Sequence, residues 1–465
     1  MEELMMKELN AAPKKSWGQL LVVSSLIFGM FFGSGNLIFP VHLGQMAGSN
    51  WFLAALGFAI SGSLFPLLAI LAVVVTKSDG LLDLARPVGK HAAAIFLILV
   101  HLTIGPFFAT PRTAATAYEM AVQPFIPKHW STLGMLLFTG LFFAATYLAA
   151  THQQHLLKIV GKYLNVGFLA LLAIIFIVAF LKPMGSLAQT PTATYQANAT
   201  IGGLLEGYNT LDAVALLALS VTLIHAIRGL GYEGRELTKL TAKAGIISIS
   251  LEVLIYFGLV LLGALSMSQL KLSANGGTAL SQIVGHYFSS VGTLLLGALV
   301  TLGVLTTAIG LVSSFAQDFH KLFPKVGYRT WLWVTTILSF LVANAGLDTI
   351  ITWSLPVLML MYPLALALIG LSLTVASRPY AGTIYKVTMA FTILPAILDM
   401  LNSAPAMISQ FTPIHTALGI YHQYLPFASL GLGWLVPTLI GFGIGFAWGA
   451  FRYANQTANL PESDR

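Results

Sequence analysis

The chain has 465 residues, 57% of them hydrophobic and only 8% charged. Soluble domains carry about 25% charged residues, so a chain this long and apolar cannot keep its surface in water, and lipid must be its main solvent. The absence of cysteine excludes a disulfide framework, a thiol nucleophile and a cysteine metal site. In a soluble protein the net charge of +7 would point to nucleic acid. Here it is read as Lys and Arg in cytoplasmic loops beside anionic membrane lipid, with no nucleic-acid partner.

Residues 1–16 are polar and hold no small-residue cleavage site, so they are expected as a cytoplasmic N-terminus, not a signal peptide. At about 20 apolar residues per crossing, the rest divides into about twelve spans. They are expected near 17–46, 51–75, 92–122, 131–150, 160–181, 199–227, 244–267, 290–317, 330–345, 349–376, 385–401 and 430–451. Five spans fill 17–181, an outside loop 182–198, five more spans 199–376, two further helices 377–451 and a cytoplasmic C-terminus 452–465. With the N-terminus inside, nineteen of the 23 Lys and Arg fall on the cytoplasmic side. Lys128, Lys182 and Lys271 fall outside, and Arg112 lies within or near the outer end of the third span. That asymmetry supports both the span count and a multi-pass bacterial inner-membrane protein with both termini inside. The uncharged outside segment 402–429, with Pro405, Pro413 and Pro426, is expected to lie on the membrane or fold into a short hairpin.

An unpaired backbone group in lipid costs several kcal/mol, so helices are interrupted only where protein, water or substrate satisfies the freed groups. The first span contains Gly33-Ser34-Gly35-Asn36 in an otherwise apolar run. Two close glycines followed by Asn predict an unwound point, with the helix resuming at Asn36 or Leu37. Its exposed N–H groups and positive dipole end suit a carboxylate. The carbonyls from Gly29 to Phe32 suit Na⁺ or an ammonium group. The sixth span carries a second expected interruption, from Gly202 to Asp212. Paired interruptions five spans apart predict an inverted repeat with a transport site between its halves. Gly441, Gly445 and Gly449, spaced by four in the last span, read as a packing stripe.

At these residues the chain resembles the branched-chain amino acid:cation symporter family. The run Gly33-Ser34-Gly35-Asn36-Leu37-Ile38-Phe39-Pro40 is similar to its first-helix signature, and the segment Gly105–Ala114 to its third-helix motif. Supporting likenesses are Glu206–Asp212, Thr307–Leu311, and Ser354–Leu358 with Tyr362-Pro363. The resemblance implies an all-α polytopic fold with the five-plus-five inverted repeat of bacterial leucine transporters. It implies that Gly33, Ser34 and Gly35 offer N–H groups to the substrate carboxylate, and that Asn36 offers its amide oxygen to a cation. The carbonyls of Gly29 and Phe32 would face a second cation site against helix eight. The family pattern puts a threonine at 312, where this chain has Val312; Thr307, Ser313 and Ser314 are the nearby hydroxyls. Na⁺ is the implied coupling ion, and no other metal or cofactor is expected.

Ionisable groups inside spans are costly and need a reason. Arg112 and Glu119, two turns apart, are read as a structural ion pair or an outer-gate contact. Glu206 and Asp212 flank the sixth-helix break and are candidates for tuning the site. His225 reads as a helix-end group, while Glu252 and Asp399 have no partner visible in sequence. His152 and His155 stand beside Lys158 and do not read as a metal site. Tyr232, Glu233, Arg235 and Glu236 form a charged inner turn, a solvated loop or an inner-gate latch. Phe31, Phe32 and Tyr208 are candidates for an apolar side-chain pocket, with Asn209 beside them. The expectation is a secondary active symporter, not an enzyme, that imports leucine, isoleucine and valine with Na⁺. A proton-coupled carrier, with Glu206, Asp212 or His225 titrating, and a channel are the alternatives.

Overall fold

The computed structural model describes residues 17–151 and 156–458. The terminal tails 1–16 and 459–465, and the pair His152 and His155, lie outside the described residues, as does the side chain of Phe31. The described chain is helical, with no strand.

The first span is two helices, α1 (Trp17–Phe31) and α2 (Gly35–Ala47). Gly48, at φ +48°, ends α2 and leads into α3 (Trp51–Ala59). A π-helical turn, Ile60–Leu64, joins α3 to α4 (Phe65–Thr76). Pro66 has no N–H to give the preceding turn, which is why the helix widens just before it. After the short α5 (Leu81–Ala85), the third span repeats this device. Between α6 (Lys90–Leu102) and α7 (Ala109–Ala121) lies the π-helical turn Thr103–Phe107, with Pro106 inside it and Gly105 out of helical geometry. Spans four and five are α8 (Ser131–Thr151) and α9 (Leu156–Leu181).

The sixth span is again two helices, α10 (Ala193–Tyr208) and α11 (Asp212–Arg228), bent by 42°. Then come α12 (Gly234–Ser266), α13 (Gly276–Leu322), α14 (Tyr328–Ala343) and α15 (Leu347–Thr374). The long α13 is kinked at Ser289, so the eighth span is preceded by a separate outer segment, 276–288, that the hydropathy reading did not anticipate. The last spans are α16 (Ala381–Asn402) and α19 (Leu435–Ala458). Between them, α17 (Ala406–Ser409) and α18 (Thr412–Tyr424) fill the uncharged outside segment. Eight helical stretches are long and apolar enough to cross a membrane, and the bent pair makes a ninth. The two-part first span, α9 and the 16-residue α14 complete twelve.

The repeat is visible in the packing. Both halves of broken span one, α1 and α2, pack on α12, the seventh span. Both halves of broken span six, α10 and α11, pack on α3 and α4, the second span. Exchanging span one for span six and span seven for span two turns the first pairing into the second, the relation an inverted repeat requires.

On the side that the charge count assigns to the outside, these pairings bring backbone against backbone. A Cβ at Gly44 would run into the Val260 carbonyl of α12, and one at Gly263 into the Val41 carbonyl of α2. In the other half, Gly57 faces the Thr200 carbonyl and Gly203 the Ala54 carbonyl. The glycines of span six are therefore packing residues, a correction to their reading as part of its break; the interruption is confined to Asn209–Leu211. The stripe Gly441, Gly445 and Gly449 packs α19 onto Phe391, Ile384 and Tyr380 in and beside α16.

Candidate functional site

The two breaks meet at the centre of the bundle. In span one the last helical bond of α1 runs from Phe32 N to Phe28 O, at 2.8 Å. The carbonyls from Gly29 onward therefore lie past the final turn. Helix α2 begins at Gly35, one residue earlier than the sequence suggests, and its first bonds run from Leu37 N and Ile38 N to Ser34 O. The N–H groups of Gly33, Ser34 and Gly35 precede those bonds and point toward the break with the positive dipole end. In span six the break contains no glycine. Instead Leu211 adopts the left-handed region, φ 69° and ψ 1°, which is strained for a branched side chain.

Arg112 joins the two breaks. Its guanidinium donates to the carbonyls of Asn209 (2.6 Å) and Thr210 (3.3 Å), and lies 5.0 Å over the Phe39 ring. A Cβ at Gly35 would stand 3.2 Å from the same guanidinium and 3.2 Å from Thr210 Cα. The expected pairing of Arg112 with Glu119 is not formed. Glu119 accepts instead from the Thr278 hydroxyl at 3.5 Å, on the outer segment of α13. The two residues share a helix face, but the unsatisfied carbonyls of the second break claim the guanidinium.

Asn36, on the first turn of α2, is wholly buried. Its amide nitrogen donates to Asp212 (2.7 Å) and contacts Glu252 (3.1 Å) and the Tyr256 hydroxyl (2.7 Å). Tyr256 in turn donates to Glu252 at 2.9 Å. Thus Asp212 of α11 and Glu252 of α12 converge on one side chain of α2. Sequence reasoning left Glu252 without a partner because its partner lies 216 positions away. Its position in an apolar helix was the only available sign.

The other sequence candidates divide. Tyr208 is buried and stacks on Tyr362, ring centroids 4.0 Å apart. Phe32 stacks on Phe28 at 5.1 Å and meets Phe168 at 5.6 Å. Glu206 accepts from the Asn209 amide at 3.3 Å, on the outer side of the second break. On α13, Val304 and Ala308 belong to the same core cluster as Phe28 of α1 and Leu37 and Val41 of α2, and α13 packs against α2. Thr307 and Ser314, seven apart, stand together on the flank of the face that Val304 and Ala308 form. Ser313 does not belong with them. Its neighbours Ile309, Val312 and Ala316 pack on Ala150 and Leu332, and its hydroxyl faces Tyr328. Ser313 thus stands on a different face from Thr307 and Ser314, and Val312 sits in that same apolar seam. His225 is exposed in the last turn of α11, away from both breaks. Asp399 of α16 accepts from Tyr421 of α18 at 2.6 Å and so anchors the outer segment. Tyr232 donates to Gln19 at 2.7 Å, tying the inner turn to α1.

The arrangement is bipolar. A helix N-terminus and a guanidinium meet at Gly35, and two carboxylates meet at Asn36, one residue on. Such a site, between two broken helices of an inverted repeat, fits a solute carboxylate at the first pole and a cation at the second.

The fold recurs in solved transporters. The structure titled as Mhp1, a nucleobase-cation-symport-1 family transporter, in a closed conformation with bromovinylhydantoin bound, superposes with a TM-score of 0.58 at 15% identity, over 93% of each chain. An Eremococcus coleocola manganese transporter superposes with a TM-score of 0.57, also at 15% identity, over 93% of this chain and 97% of that one. In sequence, the branched-chain amino acid permease BrnQ of Lactobacillus delbrueckii subsp. lactis is 39% identical, over 93% of this chain and 97% of its own. BrnQ of Bacillus subtilis is 35% identical over 94% and 98%, and BrnQ of Escherichia coli 33% identical over 92% and 95%. These relatives are named as permeases, not enzymes. The family model described as branched-chain amino acid transport protein matches residues 16–452, and the chain, with its twelve spans and paired breaks, belongs to that family.

Proposed function

We propose that this protein is a secondary active symporter of the bacterial inner membrane, with both termini cytoplasmic, that imports leucine, isoleucine and valine with Na⁺. The observation that carries the reading is the bipolar centre, where Gly35 beside Arg112 stands next to Asn36 beside Asp212 and Glu252. The substrate carboxylate lies on the N–H groups of Gly33, Ser34 and Gly35, close to Arg112. Phe32 and Tyr208 face its apolar side chain. The names of the relatives support the substrate class. One Na⁺ moving down 100 mV releases about 2.3 kcal/mol, enough for roughly 50-fold accumulation at about 1.4 kcal/mol per decade. Coupling requires that ion and substrate favour the same conformation.

Uptake of labelled leucine into proteoliposomes tests this. An inward Na⁺ gradient at constant pH should drive saturable accumulation above equilibrium. Accumulation driven by a proton gradient without Na⁺ would make the protein a proton-coupled carrier. Unsaturated uptake that stops at equilibrium would make it a channel.

A further inference from the structure

The pairing of Asp212 with Glu252 goes beyond what a neutral amino-acid site requires. Both carboxylates are buried, Glu252 completely and Asp212 at 7% exposure, inside a membrane bundle. They come from different helices and meet on one neutral side chain, Asn36. Two like charges this close in a poorly solvated site repel each other. Among the described residues no ion pair neutralises either one. Arg112, the buried cation of the centre, spends its hydrogen bonds on the carbonyls of Asn209 and Thr210. Even with its charge counted against the pair, one negative charge is left over. Glu206 is held apart, on Asn209.

A second observation points the same way. Glu252 Oε2 is buried without a hydrogen-bond partner. Beside it stands Ser63, wholly buried in the π-helical turn of span two, whose hydroxyl also lacks a partner of good geometry. The oxygens of Asp212, Glu252 and Tyr256 thus converge from spans six and seven on the Asn36 amide, and Ser63 of span two stands beside Glu252. The amide nitrogen stands where a cation would. Turning the amide over about its last bond puts Oδ1 in nearly the same place, completing an all-oxygen set.

We infer that Asp212 and Glu252, with Asn36, Tyr256 and Ser63, form a Na⁺ site whose charge the protein supplies, so that Na⁺ binds before the amino acid and without it. With Na⁺ bound, two cations and two carboxylates leave the centre neutral. Without it, the centre keeps a net negative charge. The inference rests on the reading of Na⁺ as the coupling ion.

Binding of ²²Na⁺ to the purified full-length protein in nanodiscs, measured without amino acid, tests it. Wild type should bind Na⁺ saturably with no leucine present. Glu252→Gln should raise the half-saturating Na⁺ by about tenfold or more, and Glu252→Asp by less. Tyr256→Phe removes one neutral oxygen and should raise it by about two- to fivefold. Leucine binding by each variant at saturating Na⁺ reports that it is folded. Wild-type protein that binds Na⁺ only when leucine is present would overturn the inference, because the charge would then come from the substrate. So would a folded Glu252→Gln variant with the wild-type Na⁺ half-saturation. In either case Na⁺-driven uptake by wild type would persist and only the site would be wrong. Uptake that follows protons and ignores Na⁺ would overturn both readings.

Discussion

Gly35 is closely fitted on both sides. Its missing side chain leaves room for the Arg112 guanidinium and the Thr210 backbone, both 3.2 Å from where a Cβ would be. Gly35→Leu should abolish leucine binding while the protein remains monodisperse, checked by size exclusion and a binding assay on one preparation. Normal binding by the folded variant would remove the first break from the site. Arg112 has a different role from a point charge, because it spans two carbonyls with one planar group. Arg112→Lys keeps the charge and loses the fork. It should weaken leucine binding by about tenfold or more, since a buried carbonyl without its donor costs about 1–3 kcal/mol. A lysine variant that binds leucine as wild type does would reduce Arg112 to electrostatics alone. None of this was legible from residue 112 in isolation. The sequence shows a charge in a span, but its acceptors are backbone oxygens, which leave no mark on residue identity.

The helices differ in how openly they announce their interruptions. The first break could be read because two glycines and an asparagine stand out in an apolar run. The second was read too widely. Gly202, Gly203 and Gly207 drew the eye, yet Gly203 and Gly207 serve contact with the second span and Gly202 faces Tyr195 of its own helix, while the backbone turns at Asn209–Leu211 through a strained leucine. The π-helical turns in spans two and three also escaped the hydropathy reading, because a widened turn changes neither composition nor length. Ser313 shows a further limit. Three hydroxyls close in sequence looked equivalent, but a helix turns each residue by 100°, and packing on α14 decides which one faces away. The glycine seams make a prediction at this scale. Gly263→Val forces a branched side chain against the Val41 carbonyl. It should destabilise the protein by about 1–3 kcal/mol, read as an apparent melting temperature lowered by several degrees. A valine variant with an unchanged melting temperature would show that the seam has slack.

Across the whole molecule, the distribution of Lys and Arg gives the expected sidedness, and the packing of the repeat gives the pairing of the spans. The first depends on which loops are basic, the second on which spans touch. Twelve spans were legible from hydropathy and charge together, because omitting one internal span would put the later basic loops on the opposite side. The absence of native cysteine makes the orientation simple to test. Ala188→Cys, in the loop before α10, should react with an impermeant maleimide added to intact cells. Arg235→Cys, at the start of α12, should react only after the membrane is opened. Both positions are exposed. The reverse pattern would invert the protein and turn the proposed importer around.

In the outer walls of both repeats, glycines meet backbone carbonyls directly. At those points there are no rotamers with which to adapt. Such a wall can lock in a single register or part, but it cannot settle into a slightly looser fit. Substitution there is one-directional: every larger residue props the wall apart, and none can draw it tighter. Leak through this face should therefore be an all-or-none property of the seam, whereas selection for a different substrate can proceed at the breaks without touching it.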